Sequence, residues 1–325
     1  MNWRISHRAE TASTNLDARA GRPGDVFTAD FQTAGRGRLD HRWLSPPGAN
    51  LLMSAVLGVE GLPPDQVATL PLVIGLAVAN AVSGIWQDEA SCPRSLSAEA
   101  EQDETFCPQS RQSSTCVGRT PSSCQVPLKW PNDGLVDGRK LAGILCERQG
   151  DAVIVGIGIN VGQTEFPPEF ASRSTSLRLI TGVCPPIGQV RDVVLREIGD
   201  LYDLWRREGF GAVYPQIAAI DFLRGQSLSV VQTDADSSPV SGLCGGILPD
   251  GSLDVGGVSV YAGEAHVRLF PSPMESLLRD SRCCRLDESL VKCSQIVRAR
   301  RAMDAEGAPV ALSYDLISEG NGGKG

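Results

Sequence analysis

Residues 126–147, VPLKWPNDGLVDGRKLAGILCE, concentrate side chains that can do chemistry around two turns. Lys129, Asn132 and Asp133 flank the Trp130-Pro131 step, and Arg139-Lys140 follows Asp137-Gly138. Proline lacks an N–H and cannot continue a central ladder, so the chain turns at Pro131. Asp-Gly between apolar runs is a strong hairpin signal. The pattern predicts an incoming strand over 126–129 and an outgoing one over 141–146. A carboxylate, an amide and two ammonium groups at strand ends can hold an anionic ligand together with a metal. Taken singly, Asn-Asp after proline is ordinary turn composition and a lysine is usually solvated. Their grouping on one hairpin favours a site.

A second basic element lies upstream in QTAGRGRLDHRW, residues 32–43. Gly35 and Gly37 let the backbone approach a ligand, while Arg36 and Arg38 supply planar, permanently charged donors for phosphate or carboxylate. Such a loop costs entropy to order and is expected to settle when a ligand neutralises it. Gly-Arg units also occur in RNA-binding tails, but there they recur many times. Trp43 reads either as core or as a stacking platform for a purine. Ser13-Thr14-Asn15 precede a short helical pattern. They read as a helix cap, or as hydroxyls and free N–H groups open to a polar ligand.

These residues need a frame. Residues 24–31 and 49–57 read as strands, the second entered from a Pro-Pro-Gly turn. Residues 65–86 form a long helix, apolar on most faces and so buried, with Pro71 at its start or at a kink. Residues 151–160, DAVIVGIGIN, form a β-branched strand that pairs with the outgoing hairpin strand across Gln149-Gly150-Asp151. Val190, Val194, Ile198, Leu201 and Trp205 have helical spacing within 189–209, which ends at Gly209. From Phe222 to Leu269 about five short strands are expected, with a Pro-Asp-Gly turn at 249–251. Residues 88–125 are too polar to bury a core and read as a disordered surface insertion. Residues 270–325 read as a low-order tail with a weak helix over 286–303.

Composition narrows the function classes. The chain has 325 residues, 42% hydrophobic and 21% charged, which suits one large and one small globular domain. A net charge of -8 argues against a general nucleic-acid binder. The sequence reads as having no run of about 18 apolar residues, so no membrane span is expected, and MNWRISHRAE lacks the apolar core of a signal peptide. A cytoplasmic protein is expected. Ten cysteines without a CxxC pair, beside three histidines, give poor support for structural zinc and read as free thiols. Disulfides within 92–124 stay open.

Four elements stand in fixed order: STN, QTAGRGRLDHRW, KWPND with GRKLAGILCE, and GIGIN. Together they resemble the catalytic domain of biotin protein ligases, over about Ser13 to Leu269 with a gap across 88–125. The resemblance implies an α+β fold, a mixed β-sheet with packed helices similar to class II aminoacyl-tRNA synthetases, followed by a small SH3-like β-barrel. The corresponding divisions are 1–220, 221–269 and the tail 270–325. It implies ATP, biotin and Mg²⁺, formation of biotinyl-5′-AMP, and transfer of biotin to a lysine of a biotin carboxyl carrier domain. Ser13, Thr14, Asn15 and Gln32 would hold biotin's polar head, and Arg36, Gly37 and Arg38 would fold over it. Lys140 would contact carboxylate and phosphate. Trp43 would stack near adenine, with Asn50, Lys129, Asn132, Asp133 and Asn160 on the ATP side. Asp133 would stand nearest Mg²⁺ or orient the incoming lysine, and Lys140, Arg36 and Asp133 form the expected catalytic set. Arg268 would reach the nucleotide from the barrel.

Bifunctional relatives carry an N-terminal DNA-binding domain. Here STN begins at residue 13, so no DNA binding is expected, while the choice between monomer and homodimer stays open. His41 and the two extra segments depart from the family pattern. Two other readings remain: a lipoate- or octanoate-protein ligase on the same scaffold, and a biotin-binding regulatory protein without turnover.

Overall fold

The computed structural model describes residues 1–38, 41–91, 125–231 and 238–267, with the backbone of 299–303 and 309–314. A seven-stranded sheet carries the first part of the chain. Its strands are β1 (Arg4–Thr11), β2 (Asp25–Gln32), β3 (Leu51–Gly58), β4 (Leu128–Lys129), β5 (Asp133–Val136), β6 (Arg139–Gln149) and β7 (Ala152–Ile159). Their order is β1-β2-β3-β7-β6-β5-β4. Only β1 and β2 run parallel, joined through the short helix α1 (Thr14–Ala18); every other pair is antiparallel. The outgoing strand and its partner over 152–159 form as expected, whereas the expected incoming strand over 126–129 shortens to β4 and the arm that faces β6 across the Asp137-Gly138 turn is the separate strand β5.

The alternation of side chains across the central strands sets the two faces. Leu51, Met53, Ala55 and Leu57 of β3 join Val153, Val155, Ile157 and Ile159 of β7 in the main core. Two long helices, α3 (Leu70–Ser91) and α6 (Ile187–Glu208), supply the rest of that core. The alternate residues Val56 and Ile154 pack instead with Ala18 of α1 on the opposite face. Ser54, Gly156, Gly158, Gly143 and Glu147 are in phase with that second face.

The long apolar stretch is interrupted: α2 (Pro64–Ala68) ends at Thr69, and Pro71 is the second residue of α3. Proline is tolerated in a first turn because its missing N–H would have no partner there. Contrary to the sequence expectation, residues 64–87 are long and apolar enough to cross a membrane, but 78% of that window is buried inside the protein. Helix α6 ends at Gly209, whose φ of 78° is the left-handed region.

Three short helices follow or flank α6: α4 (Pro168–Ala171), α5 (Leu177–Thr181) and α7 (Tyr214–Ala219). The chain then enters a second, antiparallel sheet of five strands. These are β8 (Ser227–Val231), β9 (Val240–Ile247), β10 (Leu253–Val255), β11 (Val258–Val260) and β12 (Glu264–Val267), in the order β11-β10-β9-β8-β12. The sheet is consistent with an SH3-like module and matches the number expected. It is seated on the larger one: Trp130 Nε1 donates to the Gly251 carbonyl at 3.1 Å, and Asp221 accepts from the Ile247 N–H at 2.9 Å. Residues 1–269 accordingly form one compact unit.

In the second unit, residues 270–325, the described backbone is an antiparallel pair, β13 (Ala299–Met303) and β14 (Pro309–Tyr314). The helix expected to end at 303 is corrected here, since 299–303 pair as a strand with the β-prone PVALSY segment. Residues 92–124 of the expected insertion lie outside the described residues, and α3 runs through 88–91.

Candidate active site

Ser13 occupies the N-cap position of α1 with extended dihedrals, φ -165° and ψ 133°, yet its side chain caps nothing. The first-turn N–H groups need partners from elsewhere. Thr14 finds one across the sheet, its N–H donating to Gln32 Oε1 at 2.7 Å, with the Thr14 hydroxyl 3.2 Å from the same oxygen. Ser54 Oγ lies 2.7 Å from Thr14 Oγ1 and 2.6 Å from Asn15 Oδ1. All of Ser13, Thr14, Asn15 and Ser54 are buried. Thr14, Asn15 and Gln32, joined through Ser54, therefore form one hydrogen-bonded floor, with Ser13 buried beside it and outside the side-chain network. Ser54 escaped the sequence reading; its signal is a lone hydroxyl within the apolar strand LLMSAVLG.

Glycines make room for this floor. A Cβ on Gly156 would stand 2.2 Å from Asn15 Oδ1. Gly158 faces Gly143 in the β6–β7 register, and the Trp43 indole lies on this pair. A Cβ on Gly158 would meet the ring at 2.5 Å, and one on Gly143 would meet it at 3.0 Å. Trp43 Nε1 is buried without a hydrogen-bond partner. The loop that carries Trp43 holds its own ladder: Trp43 N–H donates to Gly35 O at 3.0 Å, Gly37 N–H to His41 O at 2.6 Å, and Arg36 bridges Arg42.

The hairpin supplies the charge. Asp137 and Gly138 both have positive φ, 50° and 72°, as a tight two-residue turn with left-handed positions requires. Lys140, returning from the turn, places Nζ 2.7 Å from Asp133 Oδ1 and 5.7 Å from the Trp43 ring centroid. Lys129 is the register partner of Asp133. Burial holds the Lys129 ammonium below its ordinary pKa, against the opposing pull of Asp133 and Glu264. Burial lowers Arg38 as well, with Asp133, Glu264 and Cys146 acting in the opposite sense. Asp133 is thus an anion amid three cations contributed by two strands and the 32–43 loop. Arg173 and Glu264 were missed in the sequence because they come from a connection and from the second sheet. The Arg173 carbonyl accepts from the Lys140 N–H at 2.7 Å, and Glu264 lies 3.7 Å from His41 Nε2.

Other expected residues support rather than line this cluster. Asn132 donates through Nδ2 to the Ile144 carbonyl at 2.6 Å, which fixes the corner after Pro131. Asn50 and Asn160 are buried, with Asn50 Nδ2 2.6 Å from Gln163 Oε1 and Asn160 Nδ2 3.0 Å from the Thr175 carbonyl. Their amides hold the ends of β3 and β7 together, so direct nucleotide contact is not what the geometry gives them. Arg36 turns away from Lys140 toward Glu147, with Nη1 3.2 Å from Oε1. Arg268 lies outside the described residues.

A resident metal does not fit. Among the described residues no group of three or more His, Cys, Asp or Glu side chains converges. The carboxylate nearest the cations, Asp133, already pairs with Lys140. Mg²⁺ is commonly held by one or two carboxylates together with substrate phosphates, and here only such a nucleotide-borne ion suits the donor set.

Residues 5–163 match the model of the biotin/lipoate A/B protein ligase family. A biotin–[acetyl-CoA-carboxylase] ligase of Mycobacterium tuberculosis is 32% identical over 282 residues, covering 82% of this chain and 90% of that protein. The bifunctional ligase/repressor BirA of Escherichia coli is 26% identical over 71% of this chain, which spans only 61% of that longer protein. Among solved structures, the Aquifex aeolicus biotin protein ligase in complex with biotin and ATP superposes with a TM-score of 0.62 at 27% identity. That match covers 81% of this chain and 98% of the other.

Proposed function

The chain belongs to the biotin protein ligase family, and on that premise we propose that it activates biotin with ATP and passes it to a lysine of a carboxylase's biotin carrier domain. In the first step a biotin carboxylate oxygen bonds to the α-phosphorus of ATP, the bond to the β-phosphate bridging oxygen breaks, and pyrophosphate leaves. In the second, the carrier's neutral lysine amine attacks the acyl carbon, the acyl–phosphate bond breaks, and AMP departs as the amide forms.

The observation that carries this reading is the position of Lys140. Its ammonium stands beside an aromatic platform, Trp43, and beside the Asp133 carboxylate, with Arg38 and Lys129 completing the charge. Two anions repel as they approach, so fixed positive charge where they meet lowers the barrier. The Thr14, Asn15, Gln32 and Ser54 floor offers alternating donors and acceptors suited to biotin's ureido head. Trp43, on its glycine bed, offers a π face and an unpartnered indole N–H to a purine-bearing ligand. Arg38 on the loop would shield the anhydride from water. An Mg²⁺ ion arriving with the nucleotide would be met by Asp133 and would neutralise part of the phosphate charge.

The test mixes the purified protein with biotin, Mg-ATP and a biotin carboxyl carrier domain and reads the carrier's mass. A gain of one biotin, unaffected by excess octanoate, is expected. Octanoate transfer in its place would move the activity to the lipoate branch. Biotin binding with neither adenylate nor mass gain would leave a binding protein.

A further inference from the structure

Glu147 has no assigned role, yet its carboxylate joins two separate parts of the site. It projects from β6, three residues beyond Ile144, onto the face that carries α1. Oε2 accepts from Asn15 Nδ2 at 2.7 Å. Oε1 accepts from Arg36 Nη1 at 3.2 Å and lies 3.7 Å from Arg19 Nη2. Asn15 is buried, its other amide atom takes the Ser54 hydroxyl, and Gly156 leaves it no spare space. A carboxylate only accepts hydrogen bonds, so Glu147 dictates which way the Asn15 amide faces. The same carboxylate offsets the repulsion between Arg36 and Arg19, which both approach it.

We propose that Glu147 is the positioning residue that couples the Gly-Arg loop to the floor of the biotin pocket, holding Arg36 over the sheet while it fixes the Asn15 amide. The inference rests on the ligase reading for its consequence in biotin affinity, but the coupling itself can be read without any ligand. Arg36 held by Glu147 is withheld from other partners. Loss of the charge frees the guanidinium and raises the entropy that must be lost when the loop orders over substrate.

The discriminating variant is Glu147→Gln. Its amide oxygen can still accept from Asn15 while the charge that holds Arg36 is gone. Trypsin digestion of the ligand-free protein should cut after Arg36 roughly threefold faster in the variant, the scale of one lost part-exposed ion pair. Cleavage within α6 serves as the control for global loosening and should not change. In steady state, KM for biotin should rise by about threefold with kcat unchanged, the signature of lost uniform binding. Arg36→Gln should mask the effect, so that the double variant is no weaker for biotin than Arg36→Gln alone. Unchanged cleavage after Arg36, a parallel rise within α6, or additive losses in the double variant would overturn the coupling. A wild-type protein that ignores biotin would sink the ligase reading while the digestion still decides whether Glu147 holds Arg36.

Discussion

Lys140 Nζ and Asp133 Oδ1 stand 2.7 Å apart on two adjacent strands, β5 and β6, joined by the tight Asp137-Gly138 turn. The pair is formed within eight residues of chain, so its geometry depends little on the rest of the fold. Asp133 holds the lysine in place, and Lys140 remains part-exposed and free to meet an incoming anion. Lys140→Ala should therefore fold normally, because a part-exposed ion pair adds little stability. It should slow adenylation by roughly a hundredfold or more, as loss of a charged stabiliser commonly does. Biotin-dependent pyrophosphate exchange measures this, and exchange at the wild-type rate would remove Lys140 from the chemistry.

The bed beneath Trp43 gives a second prediction. Gly158→Ala would place a methyl 2.5 Å from the indole, so the ring must lift. The strand keeps its ladder, since Gly158 lies in regular β7 pairing on both sides. KM for ATP should rise by about tenfold while biotin binding measured without ATP changes little, if Trp43 serves the nucleotide. A loss confined to biotin would move Trp43 to the other half of the site.

The local parts of this site were legible in the sequence because their signals are short range. Pro131 and Asp137-Gly138 announce the hairpin, and the STN, Gly-Arg and Lys-Trp-Pro-Asn-Asp segments each form their own element. The near-continuous apolar runs at 49–57 and 151–160 gave the buried strands. What escaped depends on pairing across the sheet. Ser54 meets Thr14 only because β3 lies beneath α1, and Glu147 meets Arg36 over 111 positions of chain. Asn50 and Asn160 looked like ligand groups because a buried amide that fixes strand ends has the same composition as one that binds a nucleotide. The sequence reads residues 65–86 as one helix with Pro71 at its start or at a kink, because α2 and α3 share an apolar pattern; the structure puts Pro71 at the start of α3, after a break at Thr69.

Arg38 tests the shielding role of the loop. Burial lowers its pKa, while the charges of Asp133 and Glu264 act in the opposite sense. Arg38→Gly removes the charge and the cover together while leaving the ion pair of Lys140 and Asp133 intact. Adenylation should persist, and biotinyl-5′-AMP should escape into solution in the absence of carrier. Filtration of a single-turnover mixture separates free from bound intermediate; retention equal to that of the wild type would show that Arg38 does not cover it.

Cys146 lies on β6 between Leu145 and Glu147, and burial pushes its thiol from the ordinary 9.0 to about 12, despite the opposing pull of Arg38. The sign of the resulting stability change follows from which state ionises first. Below pH 9 the thiol is protonated in folded and unfolded chains alike, so it contributes no pH dependence there. Between pH 9 and about 12 only the unfolded thiol ionises, and the folded state loses up to about 1.4 kcal/mol per pH unit in that window from this group. Cys244, raised to about 11 by burial, adds a similar loss over a narrower range. Cys146→Ala should therefore make the fall in urea-unfolding free energy from pH 8 to pH 10 shallower by about 1 kcal/mol, whatever its cost in packing at pH 8. An equally steep alkaline fall in the variant would mean that the thiol is not desolvated in the folded protein.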